Sequence, residues 1–144
     1  MKPMVIDASV AVKWYLNEAD SQDAAELLGA PLVFHAPHLL KLEVASAISK
    51  NVIKGLAEPA VWDAARHKLH RSISHWHMSE LLLSEAFELA GAMAHPIYDC
   101  MYLVLARGLE TVCVTADNRL LVKIAGTPYA RLAVRLAAWR GAAV

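Results

Sequence analysis

A three-layer α/β/α fold with a central parallel sheet follows from three features of the sequence. Short apolar runs alternate with longer segments of helical periodicity, the pattern of βαβ units. The runs are apolar at consecutive positions, as in strands covered on both faces, and do not alternate. No internal repeat, linker or low-complexity segment interrupts the 144 residues, so one domain spanning 1–144 accounts for the chain.

The elements follow in order. Residues 3–7 read as a buried strand, and Ser9 is placed to cap a helix running through Leu16, with Val10, Val12 and Trp14 inward. A second helix from Ser21 to Leu28 stops at Gly29. Pro31 to His35 is a short strand closed by Pro37. His38 to Lys54 carries the clearest helical face, with Leu39, Leu40, Glu43, Val44, Ala47, Ile48 and Asn51 in register and Gly55 as the stop. Pro59 suits a first helical turn, and the helix it opens runs through His70. Ile73 to Met78 alternates as a third strand, and a helix begins at Ser79 and reaches Ala90. Pro96 opens a helix that is apolar on nearly every side to Ala106 and halts at Gly108. Thr111 to Thr115, β-branched at four of five positions, is a buried strand. A helix from Asn118 to Ala125 and a last strand around Ala133 complete the chain.

Composition narrows the classes of function. Hydrophobic residues make up 57% of the chain and charged ones 19%, which excludes a disordered chain. The formal charge is zero, so no global basic signature marks a nucleic-acid coat protein, and any polyanion contact must rest on local charge. That charge is uneven: no acid follows Asp117, whereas Arg119, Lys123, Arg131, Arg135 and Arg140 do. Arg66, His67, Lys68, His70 and Arg71 form a second basic cluster. Cys100 and Cys113 sit in apolar runs and read as small buried hydrophobes. No stretch is long enough for a membrane span, and the first residues lack a signal-peptide core. The expectation is a soluble, cytoplasmic protein, with an apolar fraction high enough to suggest that another chain covers part of it.

Four acids in apolar settings carry the chemistry. Asp7 leaves the first strand, Glu43 lies on the apolar face of its helix, Asp99 stands in a first helical turn, and Asp117 follows the fourth strand. Asp7 and Asp117 share a position at the carboxyl end of a parallel strand, where open α/β sheets bind ligands. Each acid has an ordinary reading as a cap, a turn residue or a complement to a helix dipole. Glu43 resists that reading, because burying an unpaired carboxylate costs several kcal/mol. Four carboxylates meeting in space would raise one another's pKa, and a hard dication would relieve them. Ligation by oxygen alone favours Mg²⁺ or Mn²⁺, and such a site suits hydrolysis of a phosphodiester by a metal-bound water. The histidines at 67, 70, 75 and 77 lack a regular zinc-ligand spacing.

The stretches V-I-D-A-S-V-A-V-K-W, L-E-V-A-S-A-I, P-I-Y-D-C-M-Y-L-V-L-A and T-A-D-N-R-L, in this order, resemble PIN domains, most of all VapC toxins of toxin–antitoxin pairs. The resemblance spans nearly the whole chain. It implies a parallel sheet of about five strands and a Mg²⁺- or Mn²⁺-dependent endoribonuclease. Asp7, Glu43, Asp99 and Asp117 match the family's acidic quartet, with Asp7 and Asp99 as the usual direct metal ligands. Ser9 and Thr115 match hydroxyls that orient the acids or a bound water. A homodimer is implied, neutralised by a VapB-like antitoxin whose tail covers the acidic groove. Within this reading Arg119, or the cluster Arg66, Lys68 and Arg71, steers RNA phosphates.

Three other readings share some of these features. A haloacid-dehalogenase-like phosphatase wants a second Asp two residues after the first, where this chain has Ser9. A receiver-like switch needs adjacent acids after its first strand, and Asp7-Ala8 does not supply them. A catalytically silent PIN fold that only binds partners retains the same acids and is separated by assay alone.

Overall fold

A computed structural model describes all residues, 1–144. Five parallel strands, β1 (Lys2–Ile6), β2 (Leu32–Pro37), β3 (His75–His77), β4 (Cys113–Thr115) and β5 (Ala133–Arg135), form one sheet in the order β3-β2-β1-β4-β5. Eight helices flank it: α1 (Ala8–Ala11), α2 (Ser21–Leu28), α3 (Leu39–Ile53), α4 (Ala60–Ser72), α5 (Ser79–Met93), α6 (Ile97–Gly108), α7 (Asn118–Ile124) and α8 (Trp139–Ala142).

The apolar runs become strands because helices pack on both sides of them. Met4, Val5 and Ile6 are wholly buried, with Met4 in register with Phe34 and Ile6 with Val114. In α6 every residue from Cys100 to Ala106 is buried. The helix packs on β1, β2 and β4 while α5 covers it, which explains why its sequence is apolar around nearly the whole circumference. No single helix is long and apolar enough to cross a membrane.

Sheet order sets the position of the site. The chain builds outward from β1 through β2 to β3, then returns to the other side of β1 for β4 and β5. Neighbouring loops after β1 and β4 therefore leave in opposite directions and open a crevice at the strands' carboxyl ends.

Several boundaries differ from the sequence reading. The helix expected from Ser9 to Leu16 ends after one turn and tightens into a 3₁₀ turn over Val12–Trp14. This turn points the Trp14 indole N–H at the Ala24 carbonyl, 2.9 Å away, and the ring lies against Phe34. Ser9 is inside α1 and is not its cap. The third strand is only His75–His77, since Ile73 still donates its N–H to Leu69 as the end of α4. Pro37 is the last residue of β2 and does not lie beyond it.

Candidate active site

Asp7 directly follows β1, and its backbone N–H donates to the Val114 carbonyl across the β1–β4 pair. It occupies the N-cap position of α1, yet its carboxylate makes no capping bond. The side chain turns toward β4 instead, where Oδ2 accepts from Ser9 Oγ at 2.6 Å and from Thr115 Oγ1 at 2.8 Å. The two hydroxyls are themselves anchored. Ser9 Oγ accepts from the Ala116 N–H, and Thr115 Oγ1 accepts from the Asp117 N–H. The loop after β4 thus holds the donors that hold Asp7.

The other three acids arrive on separate elements. Glu43 stands one turn into α3 and accepts a 2.6 Å bond from the phenol of Tyr102 on α6. Asp99, in the first turn of α6, lies 2.6 Å from His95 Nε2. Asp117 caps α7, with Oδ1 accepting from the Arg119 and Leu120 N–H groups.

The four carboxylates share one electrostatic neighbourhood. Burial pushes the Asp7 carboxyl up to about 7 against the pull of its two hydroxyl donors, and the charges of Asp99 and Glu43 push it in the same direction. Burial also raises Glu43; the Tyr102 bond opposes this, and Asp99 and Asp117 add to it. Asp99 is raised by burial against the His95 bond, with Asp117 adding. No lysine or arginine lies within ion-pairing reach of any of the four, and His95 is the only basic partner of the set. The charges of the acids act on one another, but no three ligand-type side chains already close on a single point.

The structure thus gathers Asp7, Glu43, Asp99 and Asp117, with Ser9 and Thr115 bonded to the first. The basic residues divide. Arg119 is exposed in the first turn of α7, beside Asp117. Arg66 and Arg71 line a separate cleft between α3 and α4 with Lys41, and Arg66 already faces Asp63 at 3.7 Å. Lys68 is exposed on the same helix. Histidines 67 and 70 sit on the exposed side of α4, whereas His77 pairs with His35, their ring nitrogens 2.9 Å apart.

Sequence reasoning missed two contributors, Tyr102 and His95. The signal was present, since Tyr102 follows Asp99 by three residues and shares its helical face, while His95 precedes it by four.

No curated protein matches the chain. Among solved structures, the crystal structure of PAE2754 from Pyrobaculum aerophilum superposes with a TM-score of 0.70 at 23% identity, covering 99% of this chain and 91% of that one. A toxin–antitoxin complex from Klebsiella pneumoniae gives 0.67 at 14% identity, covering 92% and 97%. At these identities the likeness is one of fold. The family model of the PIN domain matches residues 4–126, a span containing all four acids, and the chain belongs to the PIN-domain family.

Proposed function

We propose that this protein is a Mg²⁺- or Mn²⁺-dependent endoribonuclease and the toxin of a toxin–antitoxin pair. The observation that carries the reading is Asp7. A carboxylate 5% exposed, pressed by two further acids and served only by two hydroxyls, is a costly feature in a protein with no cation to offset it. The donor set is oxygen throughout, which fits a hard dication and does not suit zinc.

Asp7 and Asp99 would hold the ion, and Glu43 and Asp117 would complete its shell or hold the attacking water. When bound, the ion supplies an activated water and charge stabilisation for in-line cleavage of a phosphodiester. The chain's own groups do the positioning. Ser9 and Thr115 hold Asp7 Oδ2 in one orientation, Tyr102 holds Glu43 Oε1, and His95, 2.6 Å from Asp99 Oδ2, opposes the rise that burial imposes on that acid. Arg119, next to Asp117, would meet a phosphate of the substrate, whereas Arg66, Lys68 and Arg71 stand on α4, where Arg66 and Arg71 line a separate cleft.

A VapB-like antitoxin is the proposed partner, in a cytoplasmic homodimer of this chain. Support comes from the toxin–antitoxin complex that shares the fold, and from exposed apolar side chains such as Leu81 and Phe87 on α5. The test is cleavage of structured RNA by purified protein with magnesium or manganese. Wild type should cleave; chelation and Asp7→Asn should each abolish cleavage. Equal cleavage by wild type and Asp7→Asn would refute the assignment.

A further inference from the structure

A groove of about 600 Å³ lies along α3 from Glu43 to Lys54, with Tyr98 among the residues that line it. Its floor and walls include Ser46, Lys50, Asn51 and Lys54. Glu43, Lys50 and Lys54 fall at i, i+7 and i+11 on one helical face, so the lysines stand roughly 10 and 16 Å along the axis from the acid. Neither lysine has a carboxylate within ion-pairing distance, although they repel each other at i, i+4 spacing. Tyr98 directly precedes Asp99 and is 59% exposed, without an aromatic partner or a hydrogen bond for its phenol.

We infer that this groove is the track for one unpaired RNA strand, with Lys50 and Lys54 on successive backbone phosphates and Tyr98 stacked on a base beside the cleavage point. The inference rests on the nuclease reading and names the substrate path of that site. Two unopposed cations leading up to an acidic centre are what a polyanion needs: phosphates flanking the reacting one are neutralised by lysine, while the acids remain free for the ion. An exposed ring at the mouth offers a stacking surface that duplex RNA, whose bases are already stacked, cannot use. The arrangement differs from the sequence expectation for RNA contacts in α4, whose arginines face the neighbouring cleft on the other side of Leu42.

The test measures binding and cleavage separately. A fluorescein-labelled single-stranded oligoribonucleotide is titrated with Asp7→Asn protein, which binds without cutting, across a salt series. Adding Lys50→Gln and Lys54→Gln should lower the slope of log affinity against log salt by roughly 1.4, the value for two phosphate contacts on a single strand. Tyr98→Ala should weaken binding about 10-fold with the slope unchanged, Tyr98→Phe should restore it, and a duplex of equal length should be indifferent to either. Arg107→Gln with Arg131→Gln, at the opposite end of the sheet, controls for overall charge. In otherwise wild-type protein the lysine changes should act through KM more than kcat. An unchanged slope in the lysine variant together with unchanged affinity in Tyr98→Ala would overturn the inference. Absence of cleavage by wild type would remove the nuclease reading instead, and the salt slope would still decide whether the groove holds RNA.

Discussion

The phenol of Tyr102 donates a 2.6 Å hydrogen bond to Glu43 Oε1, linking the central helix α6 to α3 across 59 positions of sequence. Tyr102 is wholly buried and Glu43 is not, so the bond fixes a partly hydrated carboxylate from the inside of the protein. Tyr102→Phe keeps the ring and deletes the donor. Unfolding by urea in chelator should show a loss of about 1–2 kcal/mol. The loss should be larger above the Glu43 pKa than below it, because the bond is stronger to the ionised acid. An equal loss at both pH values would mean that Glu43 is not the partner that matters.

Asp7 makes the metal-free protein sensitive to pH in a defined direction. Its carboxyl lies at about 7 in the fold against an ordinary 3.8. Between these values the folded state binds more protons than the unfolded state, so stability is greatest at the acid end of the interval. It falls as pH rises from about 4 to about 7 and is level above that. Asp7→Asn should flatten this fall and leave the apo protein more stable than wild type at pH 8. Parallel denaturation curves for the two proteins across this range would contradict the assignment.

Divalent ions should reverse the same penalty. Magnesium or manganese at 100 times its dissociation constant should stabilise wild type by about 2.7 kcal/mol, read as a rise in melting temperature. Asp7→Asn and Asp99→Asn should lose most of that rise, and calcium-free chelator should return wild type to its apo value. If Asp7→Asn shifts as far as wild type, the ion is bound elsewhere.

Thr115→Val replaces one of the two hydroxyls on Asp7 with a methyl of similar shape. In the metal-free protein the Asp7 carboxyl then rises further, so the fall of stability with rising pH should extend to higher pH than in wild type, read by urea unfolding in chelator across about pH 4 to 9. Ser9→Ala should act in the same direction and also loosen the loop after β4, whose Ala116 N–H it leaves without an acceptor.

The chain's local chemistry was enough to specify much of this protein. Consecutive apolar runs separated by amphipathic stretches dictate a parallel sheet between helices, because only strands covered on both faces tolerate such composition, and Asp7 and Asp117 stand out as acids at strand ends. Glu43 stands out because an acid on an apolar face demands an explanation. Tertiary structure decided what local pattern cannot encode. Ser9 reads as a helix cap in sequence, yet in the fold its hydroxyl lies between Asp7 and Ala116, because β4 arrives beside β1 from more than 100 residues away. Tyr102 reads as one more apolar position of α6, and only the packing of α3 against it turns its hydroxyl into a hydrogen-bond donor to Glu43. The basic residues read in sequence as two clusters, one after Asp117 and one over residues 66–71; helix packing leaves Lys50 and Lys54, which belong to neither, in the groove that includes Glu43. Periodicity reports which face of an element is buried, while the identity of the neighbour across that face depends on sheet order and helix docking.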